Sequence, residues 1–249
     1  WNRHQLLLGT HTDGEENSLL VVAVDLPDVE TEIDTRAGEF GKDTSAIALT
    51  LPHPGGEVNR ARHCPQQPSL VATRPASKVA YVFDIAKAAE EGPSQTPWLT
   101  LRGHGDEGFG CAWSPHVNGQ LTTCANDGTI CGWDIATAKG GGITPTYFAS
   151  RGESAVADVQ YSPQCPFTIC AAGDDKALVF WDLRTQGDKC SQVVENAHDA
   201  DINALAYPTF GEDDQFRLLS ASADRTVKLW DTRHLSKPVH SFKTEGDCV

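Results

Sequence analysis

The chain has 249 residues, 39% of them hydrophobic, with 34 acidic against 20 basic side chains and a formal net charge of −14. It is long enough to bury a sizeable core, has no run near the ~18 apolar residues of a membrane-spanning helix, and lacks the basic composition of a direct nucleic-acid binder. Its acidity suits a basic partner through complementarity and steering, and solubility alone accounts for it equally well.

In chain order, the start Trp1-Asn2-Arg3-His4 carries no cationic segment followed by an apolar one, so no secretory signal is read there. Met is absent throughout, and the chain reads as an internal fragment of a longer one. Residues 5–26 (HQLLLGTH, then NSLLVVAVDLP) read as two strands and a turn. His11 and Asp13 in that turn have no third ligand nearby and read as turn residues, not a metal site. The acidic connector 28–43 is expected to be a surface loop, and AIALTL at 46–51 a strand. The first unit therefore spans about 1–51.

From there a motif returns. NDGTICGWDIAT (126–137), DDKALVFWDLRT (174–185) and SADRTVKLWDTR (222–233) place Trp133, Trp181 and Trp230 at spacings of 48 and 49 residues. Phe83, in SKVAYVFDIAK, lies 50 residues before Trp133. Asp127, Asp175 and Asp224 each precede their Trp by six residues, and Ser77 holds that place before Phe83. Upstream of each later Trp comes a strand-like run ending in an aromatic (Trp113, Tyr161, Tyr207), then turn residues, then an apolar run (QLTTCA, TICAAG, RLLSAS). At least three strands per unit are implied, with no helical periodicity between them. The units fall at about 57–86, 101–136, 153–185 and 197–233, and 239–249 is expected to begin another. KGGGITP at 139–145 reads as a flexible link.

This is the pattern of WD repeats in an all-β propeller. About five blades and a stub are counted, out of an expected seven, because an open ring would leave β-edges exposed. His104, Thr123, Asp127 and Trp133 form one expected hydrogen-bonded set, and His198, Ser220, Asp224 and Trp230 another. In each, the Asp accepts from the His, the His meets the hydroxyl, and the hydroxyl accepts from the indole N–H. Left unpaired in the interior, each such group would cost about 1–3 kcal/mol. The fourth unit has Arg151-Gly152 in place of the His, so its network is expected to be incomplete. Ser, His and Asp also spell an acyl-transfer site. Here the trio recurs at the repeat period, which blade structure needs and catalysis does not. No enzyme, cofactor or metal site is read.

Aligning the units on their aromatics, with His63 standing in for the second unit, puts Glu57, Glu107, Ala155 and Asp201 six residues before. Asn59, Phe109, Ala157 and Asn203 fall four before. Equivalent positions share one face of a propeller, so three carboxylates, two Asn and a Phe are expected on one rim. Charge-assisted hydrogen bonds would draw Arg or Lys there, and Phe109 would pack on the stem or the guanidinium. The alternative is that these acids merely solvate a loop rim.

Eight Cys occur, at 64, 111, 124, 131, 165, 170, 190 and 248. Four of them (Cys111, Cys124, Cys131 and Cys170) lie in strand-like apolar runs, where a free thiol acts as a small hydrophobe. With no close Cys-x-x-Cys pair, a zinc site is not expected, and a reducing compartment fits best.

Several strings are more specific than the repeat itself: RHQLLLGTHTDGEEN (3–17), LLVVAVDLP (19–27), GEVNRARHCPQQPSLVAT (56–73) with VAYVFDIAK, LRGHGDEGFGCAWSP (101–115) and SADRTVKLWDTRHLSKPVHSF (222–242). Together they closely resemble the retinoblastoma-associated, MSI-type histone-binding WD-repeat proteins, the family of the chromatin assembly factor small subunit. The resemblance implies a seven-bladed, non-catalytic histone chaperone subunit of chromatin assembly, deacetylase, remodelling or Polycomb-type complexes, nuclear with a cytoplasmic pool. It also implies an H4 helix site built by elements outside this chain, and a site for the basic H3 tail on the narrow face. Onto that tail site it carries Glu57, Asn59, Glu107, Phe109 and Asn203, whereas Asp201 comes from the alignment alone. Ala157 departs from the family's acid, so weaker or altered tail binding is expected. Two other readings stand beside this one. The glutamate-rich WD-repeat group of ribosome assembly shares GHGDEGF. The Trp-Asp-x-Arg strings ending at Arg184 and Arg233 occur in substrate receptors of cullin-type ubiquitin ligases.

Overall fold

Alternation of small or branched apolar residues with polar ones produces strands with one face in and one face out. Twenty strands and one short helix form among the described residues of a computed structural model, which describes residues 2–12, 16–26, 45–92, 97–185, 190–208 and 215–245. The first sheet is antiparallel, β1 (Asn2–Gly9), β2 (Ser18–Leu26) and β3 (Ser45–Pro52) in that order. The second runs β4 (Val58–His63), β5 (Leu70–Pro75), β6 (Val79–Asp84) and β7 (Leu99–Arg102). The third holds β8 (Cys111–Trp113), β9 (Gln120–Cys124), β10 (Thr129–Asp134) and β12 (Tyr147–Ser150). Between the last two in chain order comes β11 (Gly141–Ile143), which adds parallel to β7 at the edge of the second sheet. The fourth sheet runs β13 (Val156–Tyr161), β14 (Thr168–Gly173), β15 (Leu178–Asp182) and β16 (Gln192–Val194). The fifth runs β17 (Ile202–Ala206), β18 (Arg217–Ser222), β19 (Thr226–Asp231) and β20 (His240–Lys243).

Each neighbouring pair of sheets closes over its own apolar layer. Leu19, Leu51, Val71 and Phe83 fill the first, and Val82, Leu101, Leu121 and Trp133 the second. Ile130, Val159, Ile169 and Trp181 fill the third, and Phe180, Leu205, Leu218 and Trp230 the fourth. Adjacent residues such as Leu70 and Val71 serve opposite layers, as a strand buried on both faces requires. The first strands of successive sheets meet along an inner line: β1 touches β4, β4 touches β8, β8 touches β13 and β13 touches β17. The indole N–H of Trp113 on β8 donates to the Arg62 carbonyl on β4 at 2.9 Å.

Four features differ from the expectation. The outer strands β12 and β16 lie between the expected units, and β7 straddles the start of the third, so these sheets take their outer strands wholly or partly from chain that the units left out. The segment 239–249 supplies β20 to the fifth sheet instead of opening a further one, while its last residues, 246–249, lie outside the described set. Part of the glycine-rich link forms β11. A helix, α1 (Ile85–Glu91), follows β6, with the Asp84 carboxylate accepting from the Ala86 and Lys87 N–H groups at its start and Gly92 at its end. The Ala-rich AKAAEEG carried that signal in propensity and capping. The acidic connector 28–43 lies outside the described residues. Seven of the Cys are free, Cys248 lying outside the described residues. Burial pushes the Cys111 thiol up to about 11.

Candidate functional site

β4, β8, β13 and β17 line up start to start along the inner line, whereas β1 runs the other way, its end at Gly9 and Thr10 meeting the start of β4 at Val58. The loops entering β4, β8, β13 and β17 therefore lie at one end. Glu57 and Asn59 stand at the start of β4, Glu107 and Phe109 just before β8, Ala155 and Ala157 at the start of β13, and Asp201 and Asn203 at that of β17. A cavity of about 530 Å³ opens there, lined by Arg60, Phe109, Asn126, Ala157, Asp174 and Asn203, with Ala155 beside them. Phe109 is 44% exposed, which leaves its face available to a ligand in the cavity.

Of the six residues expected on the rim, Phe109 and Asn203 line this cavity, whereas Glu57, Asn59, Glu107 and Asp201 are not part of its lining. Glu57 is engaged with His11, whose Nε2 lies 2.5 Å from its carboxylate. The Asn59 amide reaches the Gly108 carbonyl at 3.5 Å, and the Glu107 carbonyl accepts from the Asn126 N–H at 2.8 Å. Asp201 acts through Asp174, whose carboxyl is raised first by burial and then by the negative charges of Asp201 and Asp175. A carboxylate destabilised by two others marks a place where an incoming cation is favoured.

Asn126 and Asp174 escaped the sequence reading. Each directly precedes the repeated Asp of its unit, Asp127 or Asp175, so one further alignment column would have found them. Asp158 escaped as well. It is 2% exposed. One oxygen pairs with Arg60 Nη1 at 2.5 Å and the other accepts from the Leu205 N–H at 3.0 Å. Arg60 thus crosses to Asp158, joining β4, β13 and β17. Removal of one partner would leave a buried charge uncompensated. Beside Ala157, the acid that the fourth sheet does supply is thus turned inward.

The repeat networks lie deeper. In the fifth sheet His198 Nδ1 meets Asp224 at 2.9 Å, Nε2 meets Ser220 Oγ at 2.7 Å, and the Trp230 N–H donates to the same oxygen at 2.9 Å. The indole can only donate, so the Ser220 hydroxyl gives its proton to Nε2 and Nδ1–H donates to Asp224. In the third sheet His104 Nε2 meets Thr123 at 2.7 Å and the Trp133 N–H donates to Thr123 at 2.9 Å. The expected direct His–Asp contact is replaced there. His104 Nδ1 meets the Thr129 hydroxyl at 2.6 Å, and that hydroxyl donates to Asp127 at 2.6 Å, while the other Asp127 oxygen is taken by the Gly105 N–H. The second sheet holds a counterpart that the sequence reading missed, His53 Nε2 on Thr73 at 2.8 Å.

In the fourth sheet Arg151 replaces the His and donates twice to one Asp175 oxygen. Ala171 stands where Thr123 and Ser220 stand in their sheets, and the Trp181 N–H is buried without a partner. All three networks that contain His are closed, buried and separated from the cavity lining, so they anchor strands.

The two Trp-Asp-x-Arg strings fold back on themselves. Arg184 pairs with Asp182 and lies 5.0 Å over Phe167, and Arg233 pairs with Asp231 and lies 4.5 Å over Phe216.

The family model for the WD domain, G-beta repeat, matches residues 95–134 and 188–231. These two segments contain the complete His–hydroxyl–Asp–Trp sets. The repeats between and before them carry Arg151, Ala171, Ser77 and Phe83 at the defining places. With the multi-stranded antiparallel sheets, the match establishes a β-propeller built of WD repeats, a fold that serves as a protein-interaction scaffold.

Proposed function

We propose that this WD-repeat protein is a non-catalytic histone-binding scaffold of chromatin assembly, deacetylase, remodelling or Polycomb-type complexes in the nucleus. It receives a basic histone tail at the rim cavity. The observation that carries the reading is the convergence of Phe109, Asn203, Asn126 and Asp174 on one open mouth with Asp201 beside it. An arginine or lysine of the tail enters between Asp174 and Asp201, its stem packs on Phe109, and Asn126 and Asn203 supply amide groups for the peptide backbone. The resemblance of GEVNRAR with VFDIAK to the histone-binding family supports the same assignment. Arg60 is neutralised by Asp158 and does not repel the incoming cation.

Calorimetry with a peptide of the H3 N-terminal tail tests this. Asp174→Asn and Phe109→Ala each weaken binding by about 1–3 kcal/mol, the range for a charged hydrogen bond or a buried aromatic contact, and affinity falls as salt rises. The same affinity in both folded variants removes the site. Pull-down of ribosomal precursors in place of histones would assign the scaffold to ribosome assembly.

A further inference from the structure

The outer edge of the first sheet takes no part in the rim site. β3 pairs with β2 on one side only and is exposed along most of its length. Its eight residues, SAIALTLP, contain no charged side chain. Outer strands are ordinarily protected by charge, shortness, proline, a bulge or a covering segment. Of these β3 shows, among the described residues, only a register shift at Ala48 and Pro52 at its end. The other sheets here follow that rule: β7, β12 and β20 have four residues and β16 three, and β7 is covered by β11. That parallel addition of Gly141–Ile143 is itself a strand laid on the edge equivalent to β3 in the neighbouring sheet.

Beside β3 runs an apolar groove of about 300 Å³, walled by α1 and lined by Val21, Ala48, Leu49, Ile85, Ala86 and Ala89. On the opposite face of the strand Ile47 is 62% exposed. A long uncharged edge with an apolar groove along it meets the two requirements of strand addition, a free main-chain ladder for affinity and a recess for alternate side chains.

We propose that β3 and this groove take up an extended segment of a partner protein as an additional strand. The segment places small apolar side chains at alternate positions into the groove and carries Lys or Arg on its flanks. The charge of the flanks follows from the acidity of the surroundings. Glu90, adjacent to the lining Ala89, is exposed, and the chain carries −14 overall. The same charge opposes a second copy as the occupant.

The probe is a fluorescein-labelled peptide, KKTVTVTVKK, titrated by fluorescence anisotropy at physiological salt against the full chain with excess unlabelled H3-tail peptide present, which occupies the rim. Binding is expected, and N-methylation of one alternate set of its residues weakens it at least about tenfold, because one edge of the added strand must donate to β3. N-methylation of the other set leaves it within about twofold. Ile47→Lys, which places a like charge on the edge, and Ala89→Trp, which fills the groove, each weaken it by about tenfold or more. Asp174→Asn leaves it unchanged, which separates this site from the rim. Equal binding of both N-methylated peptides, or of wild type and both edge variants, overturns the proposal. So does a concentration-dependent dimer in sedimentation that Ile47→Lys abolishes, which would make the occupant a second copy.

Discussion

At the scale of single residues, the networks separate the value of a hydrogen bond from the value of an aromatic ring. Trp181 and Trp230 are both essentially buried and both fill an inter-sheet layer, yet only Trp230 has an acceptor for its N–H. Trp181→Phe therefore removes volume and relieves an orphaned donor. Trp230→Phe removes volume and strips the Ser220 hydroxyl of its partner. Denaturant unfolding is expected to show Trp230→Phe as the more destabilising by about 1–2 kcal/mol. Equal losses would mean that the indole N–H contributes nothing. The protein already uses Phe83 at this place in the second sheet, where it packs on His53 at a centroid distance of 5.5 Å. Arg74 runs the other way. It sits mid-strand in β5, is fully buried, and its guanidinium nitrogens have no hydrogen-bond partner. Burial lowers its affinity for a proton. Gly108 packs beside it, and a Cβ there would meet the Cys124 carbonyl oxygen at 2.3 Å and the Ala125 Cα at 2.6 Å as well as the guanidinium at 2.7 Å.

At the scale of elements, the sheets differ in how their outer strands are held. α1 is the one helix among the described residues, and it forms a wall of the groove beside β3. A seven-residue helix is too short to be stable through propensity alone. Its start depends on Asp84, which accepts from both the Ala86 and Lys87 N–H groups at 3.2 Å. Asp84→Ala is expected to destabilise the protein by about 1 kcal/mol in thermal or denaturant unfolding. Hydrogen exchange at the first turn of α1 should rise well before exchange in β5 and β6 does. Unchanged exchange would show that packing of Ala88 alone fixes the helix. The tight turns before β10, β15 and β19 place Gly128, Lys176 and Arg225 at positive φ of 77°, 61° and 67°. The turn geometry therefore recurs even where glycine does not.

At the scale of the whole molecule, three sheets each bury a neutral histidine. Burial holds His53 down to about 4. Burial, aided by the charge of Arg74, holds His104 down to about 3. Burial also lowers His198, although Asp224 pulls the other way. In the unfolded chain these rings titrate near 6.5, so below that pH the unfolded state binds protons that the folded state refuses. Stability is thus complete above about pH 7 and falls as pH drops through the window from 6.5 towards 4. His53 and His104 each contribute a loss of roughly 2 kcal/mol by pH 5. Thermal melts at pH 7.5 and pH 5 measure this, and a melting temperature that does not fall would mean that the rings are protonated in the fold. Because each histidine secures a different sheet, the loss spreads around the propeller.

Most of the strands, and the His, Ser or Thr and Trp that tie the third and fifth sheets together, were legible in the chain. The roughly fifty-residue period and the His, Ser or Thr, Asp and Trp of the complete repeats carry that information locally. That Glu57, Glu107 and Asp201 stand at the entries to β4, β8 and β17 was legible too, because equivalent positions in a repeat share a place in the sheet. Assignment of an outer strand to the preceding sheet was not, since pairing across a loop depends on which edge is free. Nor could the sequence say that Arg60 would reach Asp158, 98 residues away, that Asn126 and Asp174 would complete the cavity, or that Glu57 would be held by His11. Those contacts arise between sheets, where side-chain direction and reach in three dimensions decide which charges meet and which stay open to a partner.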